Sequence, residues 1–105
     1  MVRGDVYAIV LPRGRGHVQR GPRYAVVVQA DDLLTLSTVL ICPTSRATPP
    51  ASFHPEIVLE AETTRVMCEM VGAVDAQALG QPIGHLALHE LRAVDDALEL
   101  VLDLA

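Results

Sequence analysis

At 105 residues, half of them hydrophobic and a fifth charged, the chain has the size and composition of one small globular domain spanning 1–105. It has no apolar run near the ~20 residues of a membrane span. No hydrophobic stretch follows the Met1–Asp5 start to read as a signal peptide, and two cysteines, Cys42 and Cys68, are too few for a disulfide framework or a zinc motif. These features predict a cytoplasmic protein that uses no cofactor or metal and has no membrane partner.

The net charge of −5 is unevenly spread. Residues 1–29 hold five arginines, Arg3, Arg13, Arg15, Arg20 and Arg23, against the single acid Asp5. Residues 75–105 hold one arginine, Arg92, against six carboxylates. A basic end and an acidic end leave room for a polyanionic ligand despite the negative total. All eight basic side chains are arginine, whose planar fork suits phosphate better than a lysine point charge.

Taken in order, Asp5 to Leu11 alternates and reads as a strand. Pro12 to Pro22, with Gly14, Gly16 and Gly21, reads as a mobile loop. Tyr24 to Gln29 carries the run Ala25-Val26-Val27-Val28, of the kind buried on both faces of a sheet. Ser37 to Cys42 is a second such run, which Pro43 is expected to end. Arg46 to Pro55 holds Pro49, Pro50 and Pro55 and reads as a loop. Glu56–Leu59 and Val66–Val71 are predicted strands. The period then changes: Leu91, Val94, Leu98, Val101 and Leu102 mark one face of an amphipathic helix over Leu88–Leu102. Short strands followed by one terminal helix predict a small, mainly-β fold, a curled antiparallel SH3-like barrel with a C-terminal α-helix.

Four features carry candidate chemistry. Gly16-His17, through Gln19 and Gly21 to Arg23, joins the basic loop to a buried strand; a solvated hairpin with Arg23 snorkelling at its end has the same pattern. Pro43-Thr44-Ser45-Arg46 delivers two hydroxyls and a guanidinium to a loop, where ordinary turn chemistry also places such groups. Cys68-Glu69 puts an acid in an otherwise apolar strand, with Glu69 facing away from Cys68. His17, His54, His85 and His89 complete the set, and the four-residue spacing of His85 and His89 is half a metal site on a helix. No HExxH, GxSxG, P-loop or Rossmann pattern occurs, and the two cysteines sit in apolar strands where thiols are inert.

Read together, these segments resemble the MazF/PemK toxins of toxin–antitoxin systems. Arg3-Gly4-Asp5-Val6-Tyr7 is similar to the family's opening strand. Gly21 and Arg23 before Ala25-Val26-Val27-Val28-Gln29 resemble its Gly-x-Arg-Pro-x-Val-Val-Val segment. Pro43-Thr44-Ser45 resembles its Pro-x-Thr-Ser or Pro-Thr-Ser turn, and Cys68-Glu69 with Val74-Asp75 its Cys-Glu-Gln…Val-Asp segment. Leu79-Gly80, Ile83-Gly84, Leu86 and the terminal helix complete the likeness. Tyr24 replaces the usual proline, Met70 the usual glutamine and Gly72-Ala73 an Arg-Thr pair, and Met67 stands where some members carry a catalytic arginine.

The resemblance implies an SH3-like, MazF/CcdB-like barrel acting as a homodimer. It implies metal-independent, sequence-specific cleavage of single-stranded RNA by attack of the ribose 2′-OH, leaving 2′,3′-cyclic phosphate and 5′-OH ends and halting translation and growth. It also implies a cognate antitoxin whose disordered tail occupies the RNA groove. Family catalytic positions fall on Arg23 and Thr44, and His17 falls on a histidine important in some members. Arginine keeps its proton, so Arg23 is read as a phosphate clamp and His17 or Glu69 as the proton acceptor. Arg13, Arg15, Arg20, Ser45 and Arg46 are expected to hold the RNA backbone, with Tyr24 or Phe53 either stacking a base or filling the core. CcdB-type toxins, which bind DNA gyrase, share the fold, as would a catalytically weak binding module; the Arg23–Thr44 pair distinguishes the nuclease.

Overall fold

The computed structural model describes residues 1–9 and 23–104. Among them are the strands β1 (Asp5–Ile9), β2 (Arg23–Val27), β3 (Thr38–Ser45), β4 (Glu56–Leu59), β5 (Glu62–Val66), β6 (Gly72–Asp75) and β7 (Leu79–His85), and the helix α1 (Leu88–Leu102). Short 3-10 turns cover Asp31–Leu33, Cys68–Met70 and Ala76–Ala78. The strands form one antiparallel sheet in the order β4-β5-β3-β2-β1-β7, with β6 also paired to β3.

The apolar run of β2 is central because both of its faces are covered: Ala25, Val26 and Val27 are all fully buried. Alternation assigns them to two cores. Val26 joins Val6, Cys42, Ile57, Val66 and Cys68 beneath Val94, Ala97 and Leu98 of α1. Ala25 and Val27 join Ile9, Val39 and Ile41 on the other face. Burying Val94 and Leu98 contributes about 1.5–3 kcal/mol each, the main tie between helix and sheet. Glu90 adds a polar one: its carboxylate accepts from the Ala87 amide that opens the helix and from the Val58 amide of β4, each at 2.8 Å.

Strand β3 makes the sheet curl. Residues 38–41 pair with β6, whereas Thr44 and Ser45 pair with β5. Pro43 lies where one partner gives way to the other, so its missing N–H breaks no ladder bond, and its carbonyl accepts from the Met67 amide at 2.8 Å. The strand therefore runs through the proline expected to end it. The expected strand Val66–Val71 is also revised: β5 ends at Val66 and a 3-10 turn follows. At the sheet's start Gly4 takes φ +95°, and a Cβ there would lie 3.1 Å from the His85 ring, which accounts for the glycine of Arg3-Gly4-Asp5. The helix is found over the predicted residues. Among the described residues no helix is long and apolar enough to cross a membrane.

Candidate active site

The end of β3 lies against the start of β2. Arg23 opens β2 opposite Ile9 of β1 and is half-buried. Burial draws its guanidinium below the ordinary arginine value, yet an arginine remains a cation at neutral pH. Its Nε is buried and finds no hydrogen-bond partner among the described residues. Thr44 and Ser45, at the end of β3, are each only 4% exposed. Thr44 Oγ1 donates to the Tyr24 carbonyl at 3.3 Å, and Ser45 Oγ accepts from the Ala47 amide at 3.2 Å.

The register decides which of these groups share a side. Ala25 is opposite Pro43, and alternation along each strand puts Arg23 on the side of Ala25 and Ser45 on the side of Pro43. Arg23 and Ser45 thus lie on one face of the sheet. Thr44 follows Cys42 and Tyr24 onto the helix-side face, where Tyr24 packs against the core.

The other expected residues are more dispersed. Arg46 is ion-paired with Glu62 on the exposed surface. Glu69 lies in the 3-10 turn, and the alternation argued for it in a strand does not apply. Its Oε2 is 2.6 Å from Nε2 of His54, whose Nδ1 meets the Pro49 carbonyl at 2.8 Å. The Phe53 ring packs edge-on against that imidazole, with centroids 4.4 Å apart. His85 belongs to β7 and bonds to Asp5 at 2.8 Å, while His89 is on α1, so the two do not share a helix. The Cys42 thiol is pushed far above its ordinary value by a hydrogen bond with Cys68 and by burial, leaving no thiolate for nucleophilic chemistry. Arg13, Arg15, His17 and Arg20 lie outside the described residues.

Two contributors escaped the sequence reading. His54 was visible only as one histidine of four, its carboxylate partner being 15 residues away. Arg65 gave no motif. It sits opposite Ser45 in β5, donates from Nη1 to the Thr48 carbonyl at 3.1 Å and from Nη2 to Glu56 at 2.8 Å, and buries an Nε with no partner among the described residues.

A curled half-barrel closed by a C-terminal helix is the fold of the MazF toxins. A mycobacterial endoribonuclease solved in complex with its cognate antitoxin superposes with a TM-score of 0.84 at 17% identity, over 100% of this chain and 97% of that one. MazF from Deinococcus radiodurans gives 0.81 at 17% identity, over 98% and 96%. In sequence, residues 2–102 match the profile of PemK-like, MazF-like toxins of type II toxin–antitoxin systems. The Mycobacterium tuberculosis toxin-family protein Rv3098A is 32% identical over 106 residues, covering 99% of each chain. Endoribonuclease MazF9 of the same organism is 30% identical over 115 residues, covering 99% of this chain and 98% of its own. The chain belongs to the PemK-like, MazF-like toxin family.

Proposed function

We propose that this toxin is an endoribonuclease that cuts single-stranded RNA by attack of a ribose 2′-OH on the adjacent phosphorus. The P–O5′ bond breaks, leaving a 2′,3′-cyclic phosphate and a 5′-OH. One observation carries the reading: a buried, cationic arginine Nε without a partner among the described residues, at a strand end beside two hydroxyls. Such a donor is costly unless something binds it, and the charge developing on a phosphorane is well matched to it.

In this reading Arg23 clamps the scissile phosphate, and the Pro43-Thr44-Ser45 turn orients one of its oxygens. Arginine does not release its proton, so the 2′-OH proton passes to another group, His17 or the Glu69 carboxylate, and the departing 5′-oxygen takes up a proton in turn. One Glu69 oxygen is engaged by His54, which favours His17 for the transfer. Arg13, Arg15 and Arg20 follow the RNA backbone. An antitoxin segment competes for the same groove, and two copies of the chain assemble as a dimer; the relatives' endoribonuclease and antitoxin-complex descriptions support both the activity and the partner.

The test is cleavage of a mixed RNA pool followed by sequencing of 5′-OH ends. The parent is expected to leave such ends at a recurring sequence. Arg23→Ala is expected to lower the rate at least ~10²-fold, as loss of a transition-state donor does, with its circular dichroism unchanged. Undiminished cleavage by a folded Arg23→Ala variant removes Arg23 from the site.

A further inference from the structure

We infer that His54 is a positioning residue of the RNA site: from inside the fold it fixes the Glu69 carboxylate and cancels its charge beside the bound phosphate. This rests on the RNA-cleaving reading above and deepens it. The two residues differ in burial. His54 is only 7% exposed, whereas the Glu69 side chain is 37% exposed, so a buried ring backs an acid at the surface. The turn that carries Glu69 is fastened to the strand that carries the candidate hydroxyls. The Met67 amide donates to the Pro43 carbonyl at 2.8 Å, and Val66 is the ladder partner of Thr44. Glu69 comes three residues after Val66, a backbone reach of at most ~11 Å, close to the ~10 Å Debye length at 0.1 M salt. A carboxylate so placed repels a phosphate brought to Thr44 unless a cation accompanies it.

His54 fits that part in geometry. Its Nε2 is 2.6 Å from Glu69 Oε2, as short as charge-assisted bonds are, and its Nδ1 meets the Pro49 carbonyl at 2.8 Å. The Phe53 ring lies edge-on to the imidazole, and the Phe53 carbonyl accepts from the Cys68 amide at 3.3 Å, so ring and turn are held together. Among the described residues the ion-pair partner of Glu69 is His54.

The charges around the ring agree with the geometry. Glu69, from the 3-10 turn, favours the protonated imidazole; Arg65, from β5, opposes it, but Arg65 is itself paired with Glu56 at 2.8 Å. On balance the ring's hold on its proton is raised. Below that raised value the His54–Glu69 pair is neutral, and as pH rises through it the pair becomes a bare anion. An apolar side chain at position 54 would seal the loop against the turn without the cost of burying a charge. What the imidazole adds is a cationic donor aimed at one carboxylate oxygen, which sets the position of Glu69 and offsets its charge together.

The experiment measures, by fluorescence anisotropy, binding of a single-stranded 2′-deoxy oligonucleotide that cannot be attacked, from about pH 6 to about pH 9. The proteins are the parent, His54→Gln, Glu69→Gln and the double variant, with cleavage of the matching RNA followed alongside. Glutamine at position 54 still donates to Glu69 but carries no charge. His54→Gln is expected to bind about two- to tenfold more weakly than the parent near pH 6, the scale of one unit charge at ~10 Å, and to match it near pH 9. Titration of His17 is common to both proteins and leaves that ratio unchanged. Glu69→Gln is expected to bind more tightly than the parent near pH 9, and on that background His54→Gln is expected to add less than about twofold, because no acid is left to neutralise. A ratio of His54→Gln to parent that stays constant with pH, or a His54→Gln effect that persists in full beside Glu69→Gln, overturns the inference. Should His54→Gln fail to fold, a gain in Glu69→Gln that does not grow with pH overturns it instead. If the parent shows the pH-dependent ratio yet cuts no RNA, the role of His54 stands and the nuclease reading falls.

Discussion

His54 is held by two acceptors at once. A backbone carbonyl cannot give a proton, so Nδ1 donates to Pro49, and Nε2 faces a carboxylate oxygen at 2.6 Å. A ring that donates from both nitrogens is an imidazolium, so this pair of acceptors favours the charged form. Burial opposes that charge and is the largest influence on the ring. The hydrogen bonds to Glu69 and Pro49 and the Glu69 charge together outweigh it, so the pKa is raised above the ordinary 6.5. A raised folded-state pKa makes the contribution to stability complete below the unfolded value and progressively lost as pH rises through the folded one. The parent's melting temperature is therefore expected to fall between neutral and alkaline pH, and His54→Gln is expected to flatten that fall while costing about 1–3 kcal/mol. A fall of equal slope in His54→Gln would show the pH dependence to come from another group. Little of this pair was legible in the sequence. The apolar neighbours of Glu69 imitate a strand, and the contact with His54 exists only because the 3-10 turn and the proline-rich loop pack together.

Among the elements, the legible ones were those whose burial pattern is written in apolar side chains. The 3.6-residue period of Leu91, Val94, Leu98 and Val101 located α1, and the β-branched runs located the centres of β2 and β3. β5 begins Glu62-Thr63-Thr64-Arg65, polar enough to pass for loop, and β7 contains Gly80, Pro82 and Gly84, which a sequence reading takes as turn residues. β7 tolerates Pro82 because it is the last strand of the sheet. The β4–β5 hairpin was missed for a related reason. Its turn residues Glu60 and Ala61 both have positive φ, 50° and 64°, in a two-residue connection that ordinarily carries Asn-Gly. A left-handed conformation costs an L-residue roughly 1–2 kcal/mol, so Ala61→Gly is expected to stabilise the protein by about 1 kcal/mol despite the entropy of glycine. Thermal denaturation is expected to show a rise of about 4–8 °C for that gain in a domain this small. A lower melting temperature would mean that the turn is not under strain.

For the whole molecule, the charge asymmetry of the sequence is only partly an asymmetry of available charge. Arg3 belongs by position to the basic end, yet its Nη1 lies 2.7 Å from Asp95 of α1 and its Nε donates to the Val28 carbonyl at 2.8 Å, so it fastens the chain start to the helix. Arg46 and Arg65 face Glu62 and Glu56. Arg23 is the described arginine of the basic end whose Nε is buried with no acceptor among the described residues. The outer side of α1, with Asp96, Glu99 and Asp103 exposed, repels a polyanion, which agrees with the proposed placement of RNA on the face that carries Arg23. In the proposed mechanism the transferring phosphate meets guanidinium groups, which would provide fixed positive charge without a metal. Cleavage is accordingly expected to continue undiminished in excess EDTA and to weaken as salt rises, because RNA binding releases counterions from the phosphates that the arginines neutralise. The two dependences, measured on one RNA substrate, separate the mechanisms: loss of cutting on chelation, restored by a divalent ion, would assign the phosphorane charge to a metal instead of to Arg23.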